Sequence, residues 1–239
     1  TLHRENQVLV CAQSNTAVDW IAEKLVDRGV PVLRIGNPSR VNDKMLSFTY
    51  ERRFEGHPAY TELWGIRKSI REMGNRMRKS SYSEREAARS RINHLRERAT
   101  ELEIQINEDL FSGARVIAST LVSSNHRILT GRRFTTLFID EAAQALEAAC
   151  WIAIRKADRV IFAGDHCQLP PTIKCIEAAR NGLEQTLMEK VAANKQETVS
   201  LLKVQYRMHQ SIMQFSSEWF YQGELQAAPE VTNRGILDL

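Results

Sequence analysis

The chain has 239 residues, of which 43% are hydrophobic, and a formal net charge of +4. This composition supports one good hydrophobic core and about one to one and a half domains, and no apolar run approaches the roughly 20 residues of a membrane span. The four cysteines form no C-x-x-C pair and no zinc-ligand spacing, which argues against a zinc module. Because no signal peptide opens the chain, we expect a reducing, cytoplasmic setting.

The first predicted elements follow in the order strand, helix, strand. Residues 7–12 are a short apolar run, typical of a strand that is buried on both faces. Thr16 can cap the helix that follows, and Gly29 can end it. The apolar residues of this helix repeat at helical spacing: Val18, Ile21, Ala22, Leu25 and Val26. Residues 30–35 form a second predicted strand, and this order favours a parallel sheet with right-handed crossovers.

A basic helical segment follows. Apolar stripes at helical spacing over residues 63–77 and 92–106, joined by a short polar turn, predict an antiparallel helical hairpin. Between Arg67 and Arg98, eleven Lys and Arg residues stand against four Glu, so this stretch carries a charge of +7 and the rest of the chain is net acidic. Charged helix faces are usually just solvated surfaces. This excess has one sign, however, and a polyanion is expected to favour it.

Strands and helices alternate again after the hairpin. The sequence predicts strands at residues 115–118, 137–139, 159–163 and 199–202, with helices over residues 143–154 and 182–193. We therefore predict an α/β fold in which a doubly wound parallel sheet is interrupted by the helical hairpin.

The strand of residues 137–139 ends in the paired carboxylates Asp140 and Glu141. In a phosphate-cleaving site, one such carboxylate holds Mg²⁺, usually through water, and its neighbour orients or deprotonates the attacking water. The sheet should present this pair at the carboxyl end of the strand, where α/β proteins bind ligands. An isolated Asp-Glu pair more often caps a helix, so the function depends on a second motif.

That second motif lies in the loop after the strand of residues 159–163. Gln168 stands in the segment Gly-Asp-His-Cys-Gln-Leu-Pro-Pro-Thr of residues 164–172. A neutral amide at this place can sense a γ-phosphate or position water, whereas a carboxylate would repel the phosphate. A plain β-turn is the alternative interpretation, because the glycine and prolines of this segment are turn formers.

Three segments together resemble the motifs of superfamily 1 nucleic-acid helicases, specifically the Upf-like branch. They are DEAAQ at residues 140–144, GDHCQLPPT at residues 164–172 and QYRMH at residues 205–209. The resemblance implies a RecA-like parallel sheet of the P-loop NTPase type, and a motor that uses ATP and Mg²⁺ to move along single-stranded DNA or RNA, 5′ to 3′. It implies domain 1 at residues 1–36 and 113–203, a helical insertion at residues 37–112, and the opening of domain 2 at residues 204–239.

The resemblance also implies roles for individual residues of the nucleotide site. Asp140 would hold the metal, Glu141 would act as the base and Gln168 would sense the phosphate. Arg207 would reach the γ-phosphate and stabilise charge in the transition state, whereas an unaided arginine in such a connection is usually an ordinary surface residue. Tyr206 stacks on the adenine base or fills the core, and the sequence does not decide between these.

Nucleic-acid contacts are expected from two regions. Residues 11–17 resemble motif Ia of the family, in which small polar groups hold the nucleic-acid backbone, and this assigns Ser14 and Asn15 to that role. The family usually has proline where Gln13 stands, and a helix cap is compatible with the same residues. Thr120 is expected to contact phosphate after the next strand. On the hairpin, the helical stripes turn four arginines away from the apolar seam: Arg71, Arg78, Arg89 and Arg96.

No G-x-x-x-x-G-K-[ST] loop occurs in the 239 residues. The resemblance places this loop and its lysine upstream of Thr1, and two further motifs beyond Leu239. We therefore expect the chain by itself not to hydrolyse ATP, and we expect exposed sheet edges through which it can self-associate. Two other classes remain open. A transporter or partition ATPase is disfavoured by the QYRMH segment. A non-catalytic module built on the hairpin would suit a stand-alone gene product, so locating the true ends of the chain would distinguish it from a helicase section.

Overall fold

The computed structural model describes residues 7–77 and 82–235, with the backbone alone described at residues 82–84 and 87. The strands are β1 (Val8–Ala12), β2 (Val32–Ile35), β3 (Val116–Thr120), β4 (Phe134–Asp140), β5 (Ala157–Phe162), β6 (Val204–Gln205) and β7 (Gln226–Ala227). The α-helices are α1 (Asn15–Val26), α2 (Asp43–Leu46), α3 (Tyr50–Glu55), α4 (Tyr60–Met77), α5 (Tyr82–Ser112), α6 (Glu147–Ile154), α7 (Ile176–Ala178), α8 (Leu187–Asn194) and α9 (Gln210–Phe220). Short 3₁₀ turns lie at Pro38–Arg40, Val122–Asn125, Arg127–Leu129, Ala142–Gln144 and Gln196–Thr198, and a π-helical turn lies at Ala179–Leu183.

The first five strands form one parallel sheet in the order β2-β3-β1-β4-β5. The register places Ala12 opposite Thr120 on one side and opposite Asp140 on the other. Ile139 stands opposite Phe162 in the next pair. The carboxyl ends of β1, β3, β4 and β5 therefore meet along one edge of the sheet, which we call the carboxyl edge. The predicted RecA-like α/β fold is confirmed.

Alternate side chains of a strand point to opposite faces of the sheet, and in β1, β2 and β3 both faces are buried. All five residues of β1 are buried. Leu9 and Cys11 belong to a cluster with residues of β4, α6 and the end of α5. Val8 and Val10 pack on the other face, against α1 and α2. This two-sided burial explains why the strands read as continuous apolar runs rather than as alternating ones.

The helices α4 and α5 form the predicted antiparallel hairpin. Leu63, near the start of α4, packs with Leu102, near the end of α5. Met77, at the end of α4, lies beside Arg89, near the start of α5. Two ion pairs also join the helices: Arg67 with Glu103 at 2.7 Å and Arg98 with Glu62 at 2.9 Å.

The strand predicted at residues 199–202 is wrong. No described strand pairs with this segment, and Leu202 is 88% exposed. A strand forms when a neighbour satisfies its backbone groups, and apolar alternation does not supply that neighbour.

Three helix boundaries also differ from the prediction. The helix predicted over residues 182–193 begins at Leu187, because Gly182 has φ of +93° and Thr186 forms a capping box with Glu189. The helix predicted over residues 143–154 begins at Glu147, after a separate 3₁₀ turn. The cap of α1 is Ser14, whose Oγ accepts a hydrogen bond from the Ala17 amide at 3.1 Å; Thr16 already lies inside the helix.

Beyond residue 203, the short strands β6 and β7 form a parallel pair with α9 between them in the chain. Met213 and Ser217 of α9 are buried, as are Ala228 and Val231 after β7. Across the described ranges, none of the helices has both the length and the apolar character needed to cross a membrane.

Candidate functional site

Asp140 and Glu141 lie at the carboxyl edge, where β4 ends. Asp140 is half-buried and Glu141 is exposed. Within residues 7–77 and 82–235, neither carboxylate forms a side-chain hydrogen bond or an ion pair. A half-buried carboxylate at a strand end, with no protein partner, matches the oxygen ligands that Mg²⁺ prefers. The donor set at this position therefore fits the expected metal.

Glu141 has a left-handed backbone conformation, with φ of +52° and ψ of +38°. For a residue with a Cβ atom this conformation costs roughly 1–2 kcal/mol, and such residues cluster at functional sites. The next residue, Ala142, donates its amide hydrogen to the Ala163 carbonyl at 2.9 Å. Gly164 permits this close approach, because a Cβ there would lie 3.0 Å from the Ala142 nitrogen and 3.1 Å from the Ala143 nitrogen. The Glu141 side chain is exposed at this turn.

Asp165 organises the loop that follows β5. Its carboxylate accepts hydrogen bonds from the Gln168 Nε2 at 2.8 Å, from the Cys167 amide at 3.1 Å, and from the Tyr221 hydroxyl. Burial acts to raise the pKa of Asp165, but these hydrogen bonds outweigh it and hold the pKa below its ordinary value. Burial and the same carboxylate raise the pKa of Tyr221. The bond to Tyr221 connects this loop to the residue that follows α9.

Gln168 is exposed, and one hydrogen bond to Asp165 orients its side-chain amide. Because Nε2 donates to the ionised Asp165, the Oε1 oxygen of Gln168 is turned away from that carboxylate. This arrangement presents Oε1 as an acceptor and leaves the second Nε2 hydrogen as a donor.

Arg207 and Tyr206 lie in the turn between β6 and α9, and both are exposed. Gln205 fixes the turn: its Oε1 accepts from the Arg207 amide at 2.8 Å and from the Met208 amide at 2.9 Å. Its Nε2 donates to the Met208 carbonyl at 2.7 Å. Among the described residues, no hydrogen bond or ion pair joins Arg207 to Asp140 or Glu141. Tyr206 is 69% exposed, so it does not fill the core.

Ser14, Asn15 and Thr120 extend the carboxyl edge on the other side of β4. Ser14 and Asn15 follow β1 directly, and Thr120 ends β3 opposite Ala12. The Thr120 hydroxyl donates to the Ser123 Oγ at 2.8 Å and accepts from the Ser123 amide at 3.1 Å. The donor of Thr120 is therefore engaged, and the Ser123 hydroxyl is the group left to donate outward.

The basic hairpin presents Arg71, Arg89 and Arg96 as exposed side chains; Arg78 lies outside the described residues. Its two flanks differ in charge. On one flank a groove of about 320 Å³ is lined by Arg89, Arg96 and no carboxylate among the residues that the structure describes: Ile70, Gly74, Met77, Ile92 and Asn93 complete it. On the other flank, Arg76 and Arg91 face Glu62 and Glu72. We call the first the Arg89 groove and the second the mixed groove.

Several residues of the site were missed by the sequence analysis. Asp165 and Tyr221 are 56 positions apart, and nothing local in the sequence predicts their contact. Ser123 was not predicted because its role depends on a hydrogen bond between its hydroxyl group and that of Thr120. Arg34 is also in this group: it is fully buried in β2 and contacts Asn15. The available signal was an acidic residue, Asp19, among the core positions of α1.

Comparisons with known proteins agree with this architecture. Two family models described as AAA domains match residues 1–175 and 183–237. Similar proteins include the rat DNA-binding protein SMUBP-2, 35% identical over 98% of this chain, and the DNA polymerase alpha-associated DNA helicase A of Schizosaccharomyces pombe, 33% identical over 99%. The Arabidopsis thaliana regulator of nonsense transcripts 1 homolog is 37% identical over 96%.

The chain spans only 24%, 35% and 18% of the lengths of these three relatives. The first family model alone covers residues 1–175, which is well over half of the chain. These matches agree with the DEAAQ, GDHCQLPPT and QYRMH segments, and the chain therefore belongs to the AAA-domain family, in the Upf-like branch of superfamily 1 helicases.

Proposed function

We propose that this chain is a section of an ATP-dependent helicase or translocase that acts on single-stranded DNA or RNA, 5′ to 3′. The observation that carries the proposal is the carboxyl edge, where one sheet aligns Asp140, Glu141 and the Gln168 loop with Ser14, Asn15 and Thr120. The names of the relatives refer to DNA binding, a DNA helicase and nonsense transcripts, so they support a nucleic-acid substrate without separating DNA from RNA.

In this proposal the residues of the nucleotide side have separate roles. Asp140 would hold Mg²⁺, which when bound neutralises charge on the phosphates of ATP. Glu141 accepts a proton from the attacking water, and its exposed side chain next to the end of β4 supports this role. Arg207, exposed on the turn that Gln205 fixes, stabilises the charge that develops on the γ-phosphoryl group. Tyr206, exposed beside it, would stack on the adenine base.

The hydrogen bond from Gln168 to Asp165 refines the role of Gln168. A carbonyl oxygen repels a phosphate oxygen but accepts a hydrogen bond from water. With one Nε2 hydrogen engaged by Asp165, Oε1 can accept a hydrogen bond from the attacking water and the second Nε2 hydrogen is a remaining donor. Of the two roles considered from the sequence, we propose water positioning.

The nucleic-acid side of the proposal uses the other half of the carboxyl edge and the hairpin. Ser14 and Asn15 offer polar groups at the start of α1, and Thr120 contributes through the Ser123 hydroxyl that it holds. Arg71, Arg89 and Arg96 contact phosphates, as does Arg78. The Arg89 groove supports this assignment because the described residues that line it carry charge of one sign, whereas the mixed groove is balanced.

Replacing Arg89 and Arg96 together with Gln is expected to weaken single-strand binding by the full-length protein and to flatten its salt dependence. Each lost phosphate contact lowers the slope of log affinity against log salt by roughly 0.7 for a single strand. Gln preserves helix propensity, so α5 should still fold. The measurement is binding of oligo-dT and oligo-U over a salt series. The matched control replaces Arg76 and Arg91, which line the mixed groove, and equal losses in both pairs would contradict the assignment.

Expressed by itself, the 239-residue chain is expected to show no ATP hydrolysis stimulated by single strands. The loop that supplies amide groups and a lysine to the phosphates does not occur in its sequence. The measurement is phosphate release by the purified chain, with the full-length protein as the positive control. A rate that disappears in the Glu141→Gln variant of the chain would overturn this expectation.

Two further parts belong to the same proposal. The edge strand β5 exposes apolar Ile161, and this supports self-association of the isolated chain through that edge. The cytoplasmic setting expected from the sequence is supported by four free cysteines.

The second candidate function is a non-catalytic binding module built on the hairpin, and the one-sided charge of the Arg89 groove is the observation that favours it.

A further inference from the structure

Arg34 is a charged residue in the core of the sheet. It lies in β2, its exposed fraction is 0%, and it shares the sheet face that α1 covers with Val32. Burial of a guanidinium group is costly unless it is paired and hydrogen-bonded. The contacts of Arg34 therefore indicate what the charge is retained for.

The three nitrogens of the guanidinium each have a different acceptor. Nε donates to Asp19 Oδ1 at 2.8 Å, and this forms a buried ion pair between β2 and α1. Nη1 donates to the Ile35 carbonyl at 2.5 Å. Nη2 donates to Asn15 Oδ1 at 2.9 Å. Only the third bond leads out of the core, to a residue at the carboxyl edge.

The surroundings fix this geometry. The second oxygen of Asp19 accepts the Asn42 amide at 2.9 Å, so the carboxylate cannot rotate away from Arg34. Gly36 leaves room for the guanidinium, because a Cβ at this position would lie 2.9 Å from Nη1. Asp19 therefore holds the guanidinium group of Arg34 in place, and Gly36 gives it the space that it occupies.

The bond from Arg34 determines how the Asn15 amide is oriented. A guanidinium group has only donors, so Asn15 must turn its oxygen toward Arg34 and its NH₂ group away. Among the described residues, that NH₂ group has no hydrogen-bond partner. Asn15 is the first residue of α1 and is only partly exposed. Its two donors are thus presented at the carboxyl edge, beside Ser14.

We propose that Arg34 is a positioning residue for single-strand binding: it fixes the Asn15 amide so that the NH₂ group donates to a backbone phosphate oxygen. This inference rests on the proposed function, since it specifies one contact of that nucleic-acid site. Asp19 neutralises the charge of Arg34 within the core. The contribution of Arg34 is therefore orientation, and it attracts the polyanion little at a distance.

This mechanism differs from that of the hairpin arginines in a measurable way. A lysine or arginine on a phosphate releases counterions and steepens the salt dependence, whereas a neutral amide donor does not. Loss of the Asn15 contact should therefore lower affinity at every salt concentration and leave the slope unchanged. Loss of Arg89 and Arg96 should change the slope.

The test measures binding of oligo-dT and oligo-U to the full-length protein over a salt series. Asn15→Ala is expected to lower affinity about tenfold, as for one hydrogen bond to a charged acceptor, with the slope unchanged. Asn15→Asp retains the bond from Arg34 but replaces the two donors with a negative charge, so its loss should be larger. The double variant Asp19→Leu with Arg34→Met removes the buried pair in favour of apolar residues of similar size, an exchange that is often neutral for stability.

The double variant should bind as weakly as Asn15→Ala, and adding Asn15→Ala to it should cause little further loss, because the two changes remove one contact. A thermal melt shows whether it is folded. Wild-type affinity in a folded double variant would make Arg34 purely structural. Wild-type affinity in both Asn15 variants would show that Asn15 does not contact the single strand. This result would overturn the proposal even when the double variant fails to fold. An unmutated protein that binds no single strand would instead defeat the proposed function.

Discussion

Glu141→Gln in the full-length protein is expected to abolish ATP turnover while leaving nucleotide binding intact. Gln has nearly the size of Glu but cannot accept the proton of the attacking water, and loss of a positioned general base lowers rates by roughly 10²–10⁴-fold. The proposed metal ligand Asp140 remains in place. The side chain is exposed, so the substitution should not disturb the core. The measurements are steady-state ATP hydrolysis with single-stranded nucleic acid and equilibrium binding of nucleotide.

The matched control is Glu147→Gln, the same chemical change six positions later. Glu147 begins α6 and forms an ion pair with Lys190 at 2.6 Å. Since surface ion pairs contribute little to stability, this control should retain near-normal turnover. Equal turnover by both variants and the unmutated protein would remove Glu141 from the catalytic role.

Arg207→Ala is expected to lower turnover on the order of 10³-fold, the size of effect seen when an arginine that stabilises the phosphoryl transition state is lost. The side chain is exposed, and the turn around it depends on Gln205 rather than on the guanidinium. Folding should therefore be unaffected. Arg207→Lys keeps the charge but loses the planar fork of donors, so it should restore only part of the rate.

Arg133→Ala serves as the control for a lost arginine. Arg133 precedes β4 and pairs with Asp158 of β5, at the opposite edge of the sheet from Asp140. Its loss should leave turnover and its dependence on single strands unchanged. If the Arg207→Ala enzyme kept a normal single-strand-stimulated rate, the assignment of Arg207 would be wrong.

The sheet was predictable because each of its strands carries its own signal. Strands β1 to β5 are short apolar runs with polar ends, and each prediction lies within a few residues of the observed bounds. The hairpin was predictable for the same reason, since its apolar stripes repeat at helical spacing. Residues 199–202 show the limit of this approach. Their apolar and polar side chains alternate as in a half-buried strand. A strand also needs a neighbouring strand to pair with its backbone groups, and the local sequence does not show whether one is present.

The position of the candidate residues at strand ends was predictable from the sequence, but the orientation of the candidate site was not. The positions of Asp140 and Glu141 at a strand end follow from the sequence, but the left-handed turn at Glu141 does not. Glu is not a residue that favours that conformation, and Gly164, which makes room for the amides of Ala142 and Ala143, lies 23 positions after Glu141. For the buried Arg34, the sequence likewise predicted only that it lies in the strand of residues 30–35. A charge in such a run signals a buried partner, but only the fold identifies Asp19 and Asn15 as its partners.

The register of the sheet has a kinetic consequence. Val8 pairs with Val116 and with Thr136, so the central strand cannot acquire its neighbours until more than a hundred residues have been brought together. Such non-local pairing slows folding, because loop-closure entropy is lost before the contacts form. The hairpin shortens this search, since its helices make local contacts and its ends return to the adjacent strands β2 and β3. Each halving of the effective loop length recovers about 0.6 kcal/mol. The hairpin is thus expected to act on the rate at which the sheet closes, separately from the binding role that we propose for its surface.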